Sequence, residues 1–298
     1  MHYDVILCTF NGDSFIDAQL ESILLQEQRP KKIIISDDGS TDETIRIARD
    51  IFDKHGFENY QFVKGPMSGV VRNFFEALKY CTSEFVFLSD QDDIWVSSKV
   101  TIYLEKVKSL DLDSQIPQLY FSDANLIDEC GQLFHNSFFG YQGIDPACIQ
   151  DGSILYRNCV QGATILLNDS LRKEVLRSLE IISCDSIAMH DWWIALLACS
   201  MGRAVFIEEK LIKYRQHRGN LVGAKRKRRM IDFICNFGCM IRPLLNVSLQ
   251  ILAYQKYTKL SNIENNLYNS SFKRCSFMKV IIIRISVFFI KHFKNRNL

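Results

Sequence analysis

The stretch that most constrains the fold of this chain is an apolar run that ends in carboxylates. Residues 85–88 are four apolar residues in succession, which is typical of a buried strand in a parallel sheet covered on both faces. Asp90, Asp92 and Asp93 follow directly. Carboxylates held so close together repel one another, and a hard divalent cation would remove that repulsion. The alternative is an acidic loop that begins a helix, with Asp93 near the helix N-cap.

The chain before this stretch alternates between predicted strands and predicted helices. The strands are predicted at residues 3–8, 32–36 and 60–63, with a fourth at 85–88. The helices between them are predicted to start at Asp13 or Ser14, at Thr44 behind a capping box formed by Ser40 and Glu43, and at about Gly69. This alternation indicates an α/β sheet with right-handed crossovers.

The pattern is less regular after residue 110. Strands are predicted at 118–122, 159–167 and 204–207, and helices at 170–179 and 192–201, with Gly202 as the C-cap. Residues 123–153 and 214–223 are polar and are predicted to be loops.

Charge divides the chain into two regions. The net charge is +2 overall, but residues 225–298 hold 15 Lys and Arg against two acidic residues, so the first 224 residues are acidic. We therefore expect a body at 1–224 and a basic, amphipathic helical region at 225–298. The basic block 225–229 lacks the aromatic or zinc framework of a nucleic-acid-binding module. We therefore expect it to bind an anionic lipid surface and not nucleic acid.

The C-terminal region is not predicted to span a membrane. Residues 277–293 mix apolar residues with Lys279, Arg284 and Lys291, and no run of about 18 uncharged apolar residues occurs. Such a helix either lies in a membrane interface or packs its apolar side on the body. Ten scattered cysteines and a chain that enters a strand at once favour a reduced, cytoplasmic protein, peripheral on the inner face of the cell membrane.

Carboxylates follow two of the predicted strands. Asp37 and Asp38 come after the second strand, and the cluster at 90–93 comes after the fourth. The carboxyl ends of parallel strands meet at one edge of the sheet, where ligands bind. An acid after the second strand commonly accepts hydrogen bonds from a nucleoside, and a metal at the later cluster would hold a diphosphate. The alternative for residues 37–40 is a turn with a helix cap.

Together these motifs resemble a known family. Residues 9–12, 37–42, 72–73 and 90–93, in this order and spacing, resemble the inverting glycosyltransferases of family 2. The resemblance covers about the first 220 residues. It implies the GT-A fold, a Rossmann-like, mostly parallel sheet flanked by helices. Residues 190–193 and 214–220 are similar to the bacterial rhamnosyltransferase-like branch.

The resemblance implies roles for individual residues. The nucleotide sugar would contact Thr9, Asn11, Asp38, Arg72, Asp90 and Gln91. Asp92 and His217 would bind Mg²⁺ or Mn²⁺, Asp191 would be the general base, and Gly162, His190, Trp192 and Trp193 would line the acceptor site. Alternatives stay open: Asp191 as a helix cap, His217 as a solvated loop residue, Arg72 as a surface residue, and at least one tryptophan in the core.

The implied reaction moves a sugar from a nucleoside-diphosphate sugar to a hydroxyl group with inversion. The expected donor is dTDP-L-rhamnose, and the expected acceptor is a cell-surface polysaccharide or a lipid-linked saccharide. A sugar-nucleotide nucleotidyltransferase is disfavoured because residues 9–13 contain no Lys or Arg to handle a triphosphate. A non-catalytic membrane adaptor of this fold would be expected to lose the metal acid or the base, and Asp92 and Asp191 are both present.

Overall fold

The computed structural model describes residues 1–220, 237–263, 267, 275 and 277–294. Within them, a nine-stranded sheet is flanked by helices. The strands are β1 Tyr3–Thr9, β2 Lys32–Asp37, β3 Tyr60–Lys64, β4 Phe85–Ser89, β5 Ile94–Trp95, β6 Gln118–Ile127, β7 Leu133–His135, β8 Leu166–Asn168 and β9 Arg203–Arg215. The helices are α1 Ile16–Leu24, α2 Thr44–Lys54, α3 Val70–Ala77, α4 Lys99–Leu110, α5 Phe138–Gln142, α6 Asp169–Ile181, α7 His190–Met201, α8 Phe237–Leu260 and α9 Phe277–Lys294.

The N-terminal half of the sheet is parallel and runs in the order β3-β2-β1-β4. Every residue of β1 and β4 is buried, because helices cover both faces of these strands. In the register of this half, Thr9 lies opposite Asp37 and Leu7 lies opposite Ser89. The loops that leave β1, β2 and β4 therefore start side by side at one edge of the sheet, as the sequence predicted.

The second half of the sheet is mixed. β8 is antiparallel to both β4 and β6, β6 is parallel to β9, and β5 pairs antiparallel with β9. The α/β class is confirmed. The long β9 brings its carboxyl end back beside β5, and hence beside the acidic loop after β4.

Four predictions for the second half were wrong in extent. β6 and β9 continue well past their predicted ends, because they pair with each other through two register shifts that the hydrophobic pattern does not show. In place of the strand predicted at 159–167, the structure has the shorter β8, Leu166–Asn168, preceded by a 3₁₀ turn at Gly162–Thr164. The predicted loop 123–153 contains β7 and α5, and Asp123 orders it by accepting from the Phe139 amide at 3.0 Å.

The predicted caps also differ from the structure. The Ser40–Glu43 capping box is wrong, because the Ser40 hydroxyl donates to Asp37 and the Thr44 amide donates to the Asp42 carboxylate at 3.1 Å. Helix α1 begins at Ile16 without a side-chain cap. Gly202 does end α7, and a Cβ there would collide with the Pro117 carbonyl.

The C-terminal helices pack on the body. On α8, the Gln250 side chain accepts from the Ala188 amide at 2.8 Å. Pro243 lies inside α8 rather than breaking it, and buried contacts further along the helix offset its missing amide bond. Val280, Ile283 and Val287 bury one side of α9.

Some features of the tail fall outside the described residues or have no counterpart in them. The basic block 225–229 and the boundary at 224 lie in the part of the chain that the structure does not describe. In the described part, no helix is long and apolar enough to cross a bilayer. All eight cysteines described there are free.

Candidate active site

The loops after β1 and β2 are joined by hydrogen bonds. Asp37 accepts from the Thr9 hydroxyl at 2.8 Å and from the Ser40 amide at 2.9 Å. Asn11, with a φ of 48°, donates its amide to the Ser40 hydroxyl and accepts from the Thr41 amide, at 2.8 and 2.9 Å. Thr9 is 2% exposed, so its hydroxyl supports the turn, and the predicted contact of Thr9 with a nucleoside stays a prediction.

Gln91 joins the acidic loop to the loop after β1. Its side-chain amide accepts from the Phe10 N–H at 2.8 Å and donates to the Phe10 carbonyl at 3.1 Å. Gly12 makes room for this contact, since a Cβ there would overlap the Gln91 amide. Asn11 and Gln91 thus hold together the loops of the predicted nucleotide site, and their contact with a nucleotide stays a prediction.

The other predicted nucleotide residues lie on the same side of the sheet. Asp38 accepts from the Gly69 amide at 2.7 Å, which places its carboxylate between β2 and the start of α3. Arg72, on α3, forms an ion pair with Asp185 at 2.7 Å, and both side chains are exposed to solvent. Binding of Arg72 to a nucleotide would break this pair, and its role stays a prediction.

Burial and mutual repulsion set the charge of the acidic loop. Burial, together with the charges of Asp92 and Asp191, raises the pKa of Asp90 to about 7. The pKa of Asp93 is raised well above its usual value, by burial first and then by Asp92 and Asp90. A buried cluster of carboxylates favours the binding of a cation, which would lower the free-energy cost of ionising Asp90.

Arg215, at the end of β9, holds the acidic loop in place. Its backbone amide donates to Asp93 at 3.0 Å, and its guanidinium donates to the Asp92 carbonyl at 2.9 Å. The guanidinium carbon also lies 5.0 Å from the centre of the Phe15 ring. In the sequence, Arg215 is visible only as part of the 214–220 motif. Its contact with the acidic loop has no sequence signal, because the hydrophobic pattern does not show that β9 returns antiparallel beside β5.

His217 lies against Asp92. Its Nε2 is 2.7 Å from an Asp92 oxygen, and its ring packs 4.7 Å from that of Phe15. The Gly219 amide nitrogen lies 3.1 Å from the other ring nitrogen, Nδ1. The predicted metal ligands are therefore neighbours, and His217 is not a solvated loop residue.

The pair fits a shared metal site better than an all-protein one. Carboxylate oxygen and imidazole nitrogen are both accepted ligands of Mn²⁺, and Mg²⁺ commonly uses one or two carboxylates together with substrate phosphates. Among the described residues, no group of three His, Cys, Asp or Glu side chains is placed to hold an ion. An ion at Asp92 and His217 would need its remaining ligands from a diphosphate and water.

Asp191 lies in the first turn of α7, across the site from the acidic loop. The N-cap of α7 is Met189, so Asp191 is not the cap of this helix. Its carboxylate accepts from the Asn158 side chain at 3.1 Å and from the amides of Gly162 and Trp192. Burial outweighs these bonds and the helix dipole, and raises the pKa of Asp191 to about 7. Nothing in the sequence indicated that Asn158 would contact Asp191.

His190 and Gly162 pack against each other beside Asp191. A Cβ on Gly162 would lie 2.8 Å from His190 Nε2, so a glycine is needed for this approach. The His190 ring stacks on Phe74 with 4.1 Å between centroids, and within the described residues neither ring nitrogen has a hydrogen-bond partner. Burial lowers the pKa of His190 to about 3, so the ring is neutral.

The two tryptophans are buried. Trp193 is fully buried, and its indole N–H donates to the Ser178 hydroxyl at 2.9 Å, so the prediction that it lines the acceptor site is wrong. The reason is that α7 is apolar on all sides and its interior face points into the core. Trp192 is 7% exposed and donates to the Ile154 carbonyl, and its contact with an acceptor stays a prediction.

Comparison with known proteins identifies the family. Residues 4–139, which include Asp37, Asp38 and the acidic loop, match the model of Glycosyl transferase family 2. The dTDP-rhamnosyl transferase RfbG of Shigella flexneri is 26% identical over 227 residues, which cover 73% of this chain and 74% of the relative. Residues 4–139 are therefore a family 2 glycosyltransferase domain. Asp191 and His217 lie outside the residues that match the family model.

Solved structures share the fold. S. aureus TarS 1-349 in complex with UDP-GlcNAc superposes with a TM-score of 0.57 at 17% identity, over 88% of this chain and 72% of that one. The mannosyltransferase PcManGT from Pyrobaculum calidifontis, in complex with GDP-Man and Mn²⁺, gives 0.53 at 16% identity, over 85% of this chain and 64% of that one. The predicted GT-A fold of this glycosyltransferase is confirmed.

Replacing Gln91 tests whether the loops after β1 and β4 form one binding surface. Gln91→Ala removes both bonds to Phe10, so the loop after β1 loses its connection to the acidic loop. We expect about tenfold weaker binding of a nucleoside diphosphate, measured by titration calorimetry, which corresponds to the loss of about 1.4 kcal/mol for the two hydrogen bonds together. Gln132→Ala, an exposed change in the β6–β7 turn, is the control and should bind as the wild type does. Equal affinity of Gln91→Ala and the control would contradict this expectation.

Proposed function

We propose that this enzyme transfers a sugar from a nucleoside-diphosphate sugar to a hydroxyl group, with inversion at the anomeric carbon. The donor is dTDP-L-rhamnose, and the acceptor is a cell-surface polysaccharide or a lipid-linked saccharide. The observation that carries the proposal is that two sets of carboxylates lie close together: Asp191 is near enough to Asp90 for its charge to contribute to the raised pKa of Asp90. The similarity to a dTDP-rhamnosyl transferase supports the choice of donor.

The donor half of the mechanism uses the edge formed by β1, β2 and β4. Asp38 would accept from the pyrimidine ring, and Asn11 and Gln91 keep the surrounding loops in register. Asp92 and His217 would hold Mg²⁺ or Mn²⁺ on the diphosphate. When bound, the ion supplies Lewis-acid stabilisation of the negative charge that develops on the leaving diphosphate.

The acceptor half of the mechanism depends on Asp191. As the acceptor hydroxyl attacks the anomeric carbon from the side opposite the diphosphate, Asp191 accepts its proton. A general base works best with a pKa near the operating pH, and burial places the pKa of Asp191 at about 7. Asn158 and the Gly162 amide fix the direction of the carboxylate, and the neutral His190 adds no competing charge.

A panel of nucleotide sugars tests the reaction class and the donor. We expect release of nucleoside diphosphate from dTDP-L-rhamnose, in the presence of a saccharide acceptor and Mg²⁺ or Mn²⁺, to exceed release from UDP- and GDP-sugars. Asp92→Asn should lower the rate at least a hundredfold because the ion loses a carboxylate ligand. Asp50→Asn, which changes an exposed carboxylate on α2, is the matched control. Release from none of the donors would refute the proposed reaction.

The pH profile and Asp191→Asn test the base. The base acts in its deprotonated form, so kcat/KM should be full above the pKa of Asp191 and fall about tenfold per unit below pH 7. Asp191→Asn keeps the shape of the side chain but cannot accept the proton. We expect its transfer rate to fall by about 10²- to 10⁴-fold with unchanged binding of the nucleotide. Wild-type transfer by this variant would rule out Asp191 as the base.

We further propose that the enzyme is cytoplasmic and that region 225–298, whose helices α8 and α9 pack on the body at 1–224, docks on an anionic lipid surface. On α9, Met278, Ile282 and Ile285 are 62%, 40% and 51% exposed, and Phe288 and Phe289 are also exposed. These residues lie opposite the buried Val280, Ile283 and Val287 on the helix. Helix α9 contains Lys and Arg but no acidic residue, and attraction to anionic lipid contributes about 1 kcal/mol per basic residue.

Flotation with lipid vesicles tests the docking surface. The wild type should float with vesicles that contain phosphatidylglycerol and stay behind with pure phosphatidylcholine. The triple variant Met278→Ser, Ile282→Ser, Ile285→Ser should lose flotation. A control with three equally exposed apolar residues replaced elsewhere, Leu25→Ser, Leu133→Ser and Phe134→Ser, should keep it. Undiminished flotation of the α9 variant would refute the proposal. A wild type that is dimeric in solution and a variant that is monomeric would also refute it, because the exposed side of α9 would then be a dimer interface.

A further inference from the structure

A lysine is buried beneath the acidic loop. Lys99, the first residue of α4, is fully buried, which is rare for a lysine. Its Nζ lies 3.7 Å from the centre of the Trp95 ring and donates to the Ala163 carbonyl at 3.1 Å. The aromatic face and the single carbonyl replace its water shell. The proposed mechanism gives Lys99 no part.

A tyrosine one turn along α4 makes a second bond of the same kind. Tyr103 is also fully buried, and its hydroxyl donates to the Thr164 carbonyl at 2.6 Å. Residues four apart lie on one face of a helix, so Lys99 and Tyr103 present two donors side by side. They bind two successive carbonyls, those of Ala163 and Thr164, within the 3₁₀ turn Gly162–Thr164.

This turn supports Asp191 directly. The Gly162 amide, at its first residue, donates to the Asp191 carboxylate. The position of a Cβ on Gly162 is 3.6 Å from the Asp191 Cβ and 2.8 Å from His190 Nε2. At this packing density, any shift of the turn changes the distance from the Gly162 amide to Asp191.

The same end of helix α4 is connected to the acidic loop through β5. β5 follows Asp93 at once, and it provides Trp95 of the lysine cage. Gln26 then fixes the start of α4, because its side chain donates to the Val96 carbonyl at 2.9 Å and accepts from the Val100 amide at 3.1 Å. One rigid element therefore contacts both the acidic loop and the turn that supports Asp191.

We propose that Lys99 and Tyr103 are positioning residues that hold the Gly162 amide against Asp191 and so set the base at a fixed distance from the acidic loop. The inference rests on the proposed role of Asp191. Neither residue touches Asp191, so both act through the turn at 162–164.

Removal of one buried hydroxyl tests the inference against simple packing. Tyr103→Phe removes the bond to Thr164, and Tyr120→Phe is the matched control. Tyr120 is also fully buried, and its hydroxyl donates to the Gln118 side chain on β6 at 2.8 Å. Both variants should lose similar thermal stability. Only Tyr103→Phe should lower kcat, about tenfold, with KM for the donor unchanged, because misplacement of a catalytic group costs rate rather than substrate binding.

The pH profile adds a readout that a purely structural role would not change. The groups that face Asp191 are the Asn158 side chain, the amides of Gly162 and Trp192, the charge of Asp90 and the neutral His190. Loss of the Gly162 bond removes a donor that favours the ionised carboxylate. The acid limb of kcat/KM should therefore move to higher pH in Tyr103→Phe and stay in place in Tyr120→Phe.

Lys99→Met is the second variant, since it keeps the apolar stem and removes the donor to Ala163. It should show the same loss of kcat and the same upward shift of the acid limb. If it does not fold, Tyr103→Phe decides alone. Kinetics of Tyr103→Phe that match those of Tyr120→Phe would overturn the inference while Asp191→Asn remains inactive. Full activity of Asp191→Asn would instead remove the base, and the positioning role with it.

Discussion

The parallel register of β1 with β2 and β4 is the constraint on which the rest of the site depends. It places Thr9 opposite Asp37 and Leu7 opposite Ser89, so three loops leave the sheet from adjacent points. Hydrogen bonds from Asn11 and Gln91 then lock these loops together. The carboxylates of the site are therefore held by the strands, and they do not depend on any ligand for their proximity.

Keeping acidic groups close in a buried place costs free energy, and the rest of the fold offsets it. Arg215 binds the backbone of the acidic loop and Asp93, and His217 binds Asp92. Both come from the far end of the chain, on the strand and loop that return beside β5. The donor half of the site is thus completed by residues that lie about 120 positions later, which ties nucleotide binding to correct closure of the second half of the sheet.

The parallel half was predictable from the sequence, because a buried strand that ends in carboxylates has a distinctive pattern, and this pattern placed Asp38 and Asp92 at one edge of the sheet. The proximity of His217 to Asp92 was expected only from the resemblance to the family. Prediction from the sequence failed where long-range pairing decides the structure. The extent of β6 and β9 depends on their register shifts, and the contacts of Arg215, Asn158 and Lys99 depend on which segments meet. Trp193 was misplaced because a helix that is apolar on all sides gives no signal for the side that faces the site.

The central claim is that this sheet edge binds a nucleoside diphosphate together with a divalent cation. Titration calorimetry of thymidine diphosphate into the whole protein, with Mn²⁺ and with EDTA, tests it most directly. The structure predicts at least tenfold tighter binding with Mn²⁺, since the ion neutralises both the diphosphate and the acidic loop, and no such gain in Asp92→Asn. Equal affinity in Mn²⁺ and in EDTA would contradict the account.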